Sequence, residues 1–371
     1  MPTLEIQDTL DIKHRPKIFE DVVGQNKIVT ILQGMFKSGC IDRTIMLHGP
    51  SGSGKTTLAR LIARYVNCTG DVRPCGKCLA CTIPEIEDHP DVHELNMAHA
   101  TGVDKVRELI GHAEYLPGTN FRIFILDEAH QMSSAATQCI LKPLEKPPEH
   151  AIWILCTTEI QKFKDTILGR CTKLQIQPIK PIDLAKRLQK VAKLEKSPIW
   201  KDKKSLMKIA SLVQGQPREG LKALGTVMHY LAGSGKVDTD MLSQLVQSVT
   251  GMPPDVLISK FLLSVYLGRF ASAMTSLKES QNQEYFLKEA IRFHINVFRS
   301  QVKESLVDGY PPFLRLIEAV RKNNIKLPNS TMSNILRIMV STYSEVKKYS
   351  IDVSFLLLAM TGDIVNEVQK C

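Results

Sequence analysis

Eight residues, Gly49-Pro50-Ser51-Gly52-Ser53-Gly54-Lys55-Thr56, have the types and the spacing to hold a phosphate chain. They spell G-x-x-x-x-G-K-[ST]. Glycines let backbone N–H groups turn inward around phosphate oxygens, and a helix starting behind them adds positive potential. Lys55 can reach β- and γ-phosphates, and the Thr56 hydroxyl suits Mg²⁺. A second stretch, Phe121 to Glu128, is an apolar run that ends in two acids. In a parallel sheet such a strand delivers its last residues into the ligand crevice. Asp127 is then placed to hold Mg²⁺, directly or through water, and Glu128 to polarise an attacking water. A third run, Ala151 to Thr158, ends in hydroxyls. One of them can bond a γ-phosphate or its water, although threonine is also simply a good strand residue.

Cys68, Cys75, Cys78 and Cys81 form a separate cluster among nine cysteines. Four thiolates at this spacing can surround one tetrahedral Zn²⁺ and leave no open position, so the site reads as structural. Pro74 and Gly76 suit the tight turns of such a knuckle. An iron–sulfur cluster is the runner-up. Against it, the fourth cysteine lies upstream of C-x2-C-x2-C and no Cys-Pro follows. Unliganded buried cysteines are the third reading. His89, His93 and His99 follow, but four cysteines already complete a set.

The elements that must position these groups follow from periodicity. Ile45-Met46-Leu47 reads as a buried strand before the phosphate loop, and Leu58, Leu61 and Ile62 give the helix after it, ending near Asn67. Arg15-Pro16 argues for an extended lead-in over residues 11–25, followed by a helix from Gln25 to Phe36. Further expectations are a strand at Val92–Leu95, a helix over Val103–Tyr115, a helix over Ser133–Leu144 whose end Pro143 distorts, and a strand at Lys173–Ile176. From Pro181 to Ser248 the pattern is helical, with Pro217 near a helix start. Pro253-Pro254 marks a boundary before more helical stripes, including one over Ser330–Lys348.

Length and composition bound the rest. The chain has 371 residues and 43% hydrophobic content, enough for two or three domains with buried cores. The polar, acidic N-terminus is no signal peptide, and no apolar run approaches the ~18 residues of a membrane span. A soluble intracellular protein is expected. Lys and Arg number 20 against 21 acids in residues 1–179, 13 against 6 in 180–250, and 15 against 11 in 251–371. The basic excess lies outside the nucleotide-binding part. It is compatible with nucleic acid and equally with solvated lysines on helix surfaces.

These pieces, in this order, resemble one family: the ATPase motor subunit of the bacterial sliding-clamp loader, the gamma/tau subunit of DNA polymerase III. The residues that carry the resemblance are His14-Arg15-Pro16 through Asp21-Val22-Val23-Gly24-Gln25, the phosphate loop, the four-cysteine insert, Asp127-Glu128-Ala129-His130, Leu144 through His150, Thr157-Thr158-Glu159, Gly169-Arg170-Cys171 and Pro217-Arg218. It covers residues 11–230 and fades to helical pattern afterwards. The cysteine insert directly behind the phosphate-loop helix is its most specific element.

The resemblance implies an α/β RecA-like AAA+ domain over 1–179, with a parallel sheet and the zinc insert at 68–81. A helical lid domain over 180–250 and an all-α collar over 251–371 follow. It implies that Arg15, Pro16, Val22 and Val23 border the adenine of ATP, and that Gly49 through Thr57 hold its phosphates with Mg²⁺. Asp127 and Glu128 become the Walker B pair, Thr158 sensor 1 and Arg218 sensor 2. Arg170 becomes an arginine finger that reaches the ATP of a neighbouring subunit, and Lys142 a residue near DNA. The implied activity is ATP-driven loading of a ring-shaped clamp onto primer-template DNA, by a cytoplasmic pentamer of copies or related subunits. The chain departs from the family pattern at Gly169 (usually serine), at Pro143, at Ala100 (commonly basic), and in having no long tail after Cys371. Two other functions compete: a non-hydrolysing structural subunit, against which the intact Lys55, Thr56, Asp127 and Glu128 argue, and an AAA+ remodeller of DNA junctions or helicases, against which the cysteine insert argues.

Overall fold

The structure, a computed structural model, describes residues 8–99, 103–250, 255–280, 282–303, 307, 311–348 and 353–370. Ala100 and Pro253-Pro254 lie outside them. The chain divides into two units, Met1–Lys236 and Val237–Cys371.

The first unit opens with a short helix α1 (Leu10–Lys13), then α2 (Asn26–Lys37), β1 (Thr44–His48), α3 (Lys55–Val66) and α4 (Leu79–Thr82). It continues with β2 (Val92–Asn96), α5 (Val103–Ala113), β3 (Arg122–Asp127), α6 (Ser134–Glu145), β4 (Ala151–Thr157), α7 (Asp165–Leu168) and β5 (Thr172–Gln175). Three longer helices, α8 (Pro181–Leu194), α9 (Lys203–Leu212) and α10 (Pro217–Ser234), complete it. The strands form one parallel sheet in the order β2-β3-β4-β1-β5.

Both faces of this sheet are covered, which is why its strands read as unbroken apolar runs rather than alternations. Ile45, Leu47, Ile123, Ile125, Ile152 and Ile154 pack against Leu32 of α2 and Leu58, Leu61 and Ile62 of α3. Met46, Phe124, Leu126, Trp153 and Leu155 pack on the other face against Val106 of α5 and Ile140 and Leu144 of α6. Phe124 and Trp153 stack with ring centroids 4.3 Å apart. Strand β4 lies between β1 and β3, so the carboxyl ends of all three open side by side.

One local expectation is corrected. The lead-in is not extended throughout: α1 forms a helical turn before Arg15-Pro16, and Phe19–Asp21 makes a 3₁₀ turn after it. Pro16 itself stays outside both, as its restriction on the preceding residue requires. Pro143 sits in the last turn of α6, which runs to Glu145, one residue past the expected end.

Asp91, just before β2, is a structural anchor of this unit. Its carboxylate accepts from the Gly118 N–H at 3.0 Å, the Thr119 N–H at 2.9 Å and hydroxyl at 2.8 Å, and the Arg122 guanidinium at 3.3 Å. Burial alone would raise its pKa, but these donors outweigh burial and hold the carboxyl below its ordinary value. Stability from this group is therefore present above the unfolded carboxylate pKa, near ~4, and is lost as pH falls through the lower folded value. Asp91→Asn should cost about 1–3 kcal/mol at neutral pH, and the loss should shrink in acid, as urea melts at pH 7 and pH 3 would show.

The second unit is helical where it is described: α11 (Thr239–Thr250), α12 (Asp255–Tyr266), α13 (Phe270–Lys278), α14 (Gln283–Val302), α15 (Pro311–Lys322), α16 (Asn329–Lys348) and α17 (Val353–Gln369). Phe261, Phe286, Phe293, Phe313, Ile335, Met339 and Ile364 form its core. Within it the Tyr266 hydroxyl meets His294 Nδ1 at 2.7 Å, and His294 Nε2 meets the Met332 carbonyl at 2.9 Å. Burial pushes His294 down to about 4, so it is neutral, with Nε2–H donating to Met332 and Nδ1 accepting from Tyr266. No helix among the described residues is long and apolar enough to cross a membrane.

Candidate nucleotide and metal sites

The phosphate loop leaves the end of β1 under tight constraint. A Cβ at Gly49 would lie 2.2 Å from the Ile176 carbonyl oxygen, so no side chain fits there. Gly54, at φ +101°, turns the chain into α3 through a conformation that glycine adopts without steric cost. The Ser53 hydroxyl donates to the Pro50 carbonyl at 2.7 Å and closes the loop. The Lys55 ammonium, nearly buried, donates to the Gly49 and Pro50 carbonyls at 3.1 and 2.9 Å. Burial lowers its pKa, while Glu128, Cys156 and Asp127 oppose the shift.

The Thr56 hydroxyl donates to Asp127 Oδ2 at 2.7 Å. The second carboxylate oxygen of Asp127 accepts the Glu128 N–H at 2.9 Å. Glu128 stands at φ +48°, a left-handed conformation that is uncommon for a residue with a side chain and often marks function. That turn ends the run of β3. Glu128 Oε2 accepts from the Thr158 hydroxyl at 3.3 Å and lies 3.4 Å from His130 Nδ1. The His130 side chain is buried, with Nδ1 3.1 Å from the Thr157 hydroxyl and Nε2 3.3 Å from Glu159. His130 stood in the sequence only as the last residue of the Asp127-Glu128-Ala129-His130 motif, with no role of its own.

Around these groups lies an open cleft. It brings together Ser51 through Thr57, Asp127 and Glu128 with Arg15, Pro16, Val22, Val23 and Arg218. Gly49 and Pro50 meet Lys55 from below the loop, and Thr158 reaches the site through Glu128. Arg218 stands in the first turn of α10, its Nε 3.4 Å from the buried Asp11. Asp11, His14, Ile179, Arg187 and Leu221 also line the cleft. His14 stood in the lead-in motif without a role; sequence reading missed the other four because they come from three distant segments with no motif of their own.

Two candidates lie elsewhere. Arg170, just after α7, lines no part of this cleft. It pairs with Glu145 at 2.9 Å and donates to the Thr166 carbonyl. Lys142 is exposed on α6.

The four cysteines converge. The sulfurs of Cys68, Cys75, Cys78 and Cys81 all lie within 4.8 Å of one another, and Cys75 and Cys81 are 4.0 Å apart. Zn–S bonds of ~2.3 Å in a tetrahedron place sulfurs slightly under 4 Å apart, so the set fits zinc. Backbone N–H groups of Lys77 and Cys78 point at the Cys75 sulfur from 3.4 and 3.3 Å. They pull its pKa down to about 6, whereas burial pushes Cys81 up to about 12. Cys78→Ser should abolish stoichiometric zinc in the purified protein and lower its Tm, by metal analysis and thermal melts. An iron–sulfur cluster would instead give a coloured protein.

Comparison with known proteins bears on the family and the fold. The sequence pattern described as "DNA polymerase III, delta subunit" matches residues 24–180. The gamma subunit of DNA polymerase III from Buchnera aphidicola of Acyrthosiphon pisum is 34% identical over 255 residues, 67% of this chain and 70% of that protein. Its counterpart from Buchnera of Schizaphis graminum is 31% identical, over 78% of this chain and 80% of that protein. The tau subunit of Bacillus subtilis is 29% identical over 90% of this chain, which spans 59% of that longer relative. Among solved structures, the Thermotoga maritima RuvB Holliday junction branch migration motor matches with a TM-score of 0.51 at 17% identity, over 85% of this chain and 99% of that one. At that identity the likeness speaks for the RecA-like fold and a parallel sheet, and for nothing finer.

Proposed function

The chain belongs to the gamma/tau family of DNA polymerase III subunits, and on that premise we propose that it is an ATP-driven motor that loads a ring-shaped sliding clamp onto primer-template DNA. The observation that carries the reading is the hydrolytic set assembled around one cleft: Lys55, Thr56, Asp127 and Glu128, with Thr158 bonded to the last. A non-hydrolysing subunit has no need of that set.

ATP is the substrate. Its base would lie along Arg15, Pro16, Val22 and Val23, and its phosphates against the loop N–H groups at the start of α3. Lys55 then exchanges the Gly49 and Pro50 carbonyls for phosphate oxygens. Thr56 and Asp127 would hold Mg²⁺, which neutralises charge building on the β- and γ-phosphates. Glu128 accepts the proton of the attacking water, and Thr158 and His130 hold its carboxylate in place. Arg218, from the helical segment that follows the sheet in the chain, would report the γ-phosphate to that segment.

Arg170 would complete the site of a neighbouring copy or related subunit. A finger used in this way needs a head-to-tail interface, hence a ring or open spiral. The assembly we infer is a cytoplasmic pentamer, with residues 180–250 as lid and 251–371 as collar. Lys142 would lie near the DNA.

The test is steady-state ATP hydrolysis with and without primer-template DNA and sliding clamp. Stimulation by both together is expected. Hydrolysis that responds to DNA but ignores the clamp would instead indicate a remodelling motor of the kind its fold neighbour represents.

A further inference from the structure

The cysteine insert is tied to the nucleotide cleft by two arginines of one helix. Arg60 and Arg64 are four residues apart on α3, so they share a face. Arg64 is almost wholly buried. Its guanidinium donates to four backbone carbonyls at the exit of the insert: Ala80 at 2.8 Å, Cys81 at 3.1 Å, Ile83 at 3.0 Å and Pro84 at 3.3 Å. Ala80 and Cys81 lie on the short helix α4, which leaves its last carbonyls without internal partners, and Ile83 and Pro84 follow it directly. A planar fork with five donors can serve four such acceptors at once; a lysine cannot.

Arg60 gathers carboxylates. It grips Glu94 of β2 with two bonds of 2.8 Å, and it also holds Glu85 at 3.0 Å and Glu87. Glu85 lies four residues past Cys81. The Glu85 oxygen that faces Arg60 also lies 3.8 Å from Arg15, which lines the cleft. The contacts are thus continuous: Cys81, the carbonyls held by Arg64, Glu85, then Arg60 on the phosphate-loop helix and Arg15 at the rim of the cleft.

The geometry points to Arg64, Arg60 and Glu85 as positioning residues through which metal occupancy of the four-cysteine insert sets nucleotide affinity. The inference rests on the reading of the cleft as an ATP site and of the cysteines as a zinc site. Its physical basis is that the insert has little core of its own. Val72 and Leu79 are exposed, and Ala80 is a small buried anchor. Besides the packing of Ala80, Ile83 and Ile86 on the sheet core, a metal held by the thiolates would be a second anchor that keeps the carbonyls on Arg64 and Glu85 between its two arginines. Linkage also makes the effect reciprocal: nucleotide bound in the cleft must tighten the hold on metal by the same factor.

The experiment uses the full chain and two binding readouts. One is the Kd of a fluorescent ATP analogue, before and after zinc is withdrawn by a chelator. The other is the rate of zinc transfer to that chelator, with and without nucleotide. Zinc withdrawal should weaken the analogue by roughly five-fold or more, the lower range of measured couplings, and nucleotide should slow zinc transfer. Because zinc-free protein can lose structure, Glu85→Gln serves as the second variant. Its side chain is partly exposed and it is no metal ligand. It should keep wild-type zinc and Tm yet bind the analogue several-fold more weakly. Arg64→Lys should release zinc faster and weaken the analogue, since it keeps the charge but loses the fork. Unchanged analogue affinity in Glu85→Gln, together with zinc transfer that ignores nucleotide, overturns the coupling and leaves the ATP site standing. Wild-type protein that binds no analogue at all overturns the nucleotide reading, and the coupling with it.

Discussion

Glu128→Gln is expected to slow single-turnover ATP hydrolysis by roughly 10²- to 10⁴-fold, the range of a lost general base, while ATP still binds within a few-fold of wild type. The amide keeps the shape of the side chain and can still meet the Thr158 hydroxyl, 3.3 Å from the carboxylate in the native protein. What it loses is the capacity to take a proton. Binding survives because the phosphate groups are held by others: the loop, Lys55, and the Thr56–Asp127 pair joined at 2.7 Å. Filter binding of labelled ATP and quenched single-turnover assays separate the two quantities. A variant that hydrolyses at the wild-type rate would remove Glu128 from the chemistry. One that fails to bind would recast it as a structural support of the strained turn at φ +48°.

Arg170→Ala is expected to lower hydrolysis in the assembled oligomer by about 10³-fold, the lower end for arginine fingers. The affinity of a single chain for ATP should stay unchanged, because Arg170 lines no part of its own cleft and pairs with Glu145 instead. That pair is solvent-exposed, so its loss should cost little stability. Arg170→Lys should not restore the rate, since a point charge cannot replace the planar fork. The decisive arm mixes two defective proteins. Glu128→Gln and Arg170→Ala subunits assembled together create some interfaces with an intact glutamate on one side and an intact arginine on the other. Recovery of hydrolysis above either protein alone supports action across the interface. If the mixture stays as inactive as its components, Arg170 does not act in trans.

How much of this was legible before the fold? The phosphate loop, the acidic strand end and the cysteine cluster are local. Each depends on spacing within fewer than fifteen residues, and local spacing is written directly in the chain. Strand positions were legible for a related reason. Residues buried on both faces of a parallel sheet, such as Ile45-Met46-Leu47 and Ile152 through Leu155, have to be continuously apolar. The lead-in was misread because propensity weighs one residue at a time. In the fold, α1 is held by its packing against α10.

The sequence by itself therefore determined the groups on offer: a glycine-rich loop of phosphate-binding pattern, two acids at a strand end, and four cysteines at metal-ligand spacing. Tertiary structure alone decided which distant residues share it. Asp11 meets Arg218 across 207 positions of sequence, and Arg15 meets Glu85 behind the cysteine insert. His130 lies between Glu128 and Glu159. No spacing rule encodes such meetings. They arise because β4 inserts between β1 and β3 and because packing closes the helical segment over the loop, so the contacts follow from the summed burial of whole elements rather than from any residue's neighbours in the chain.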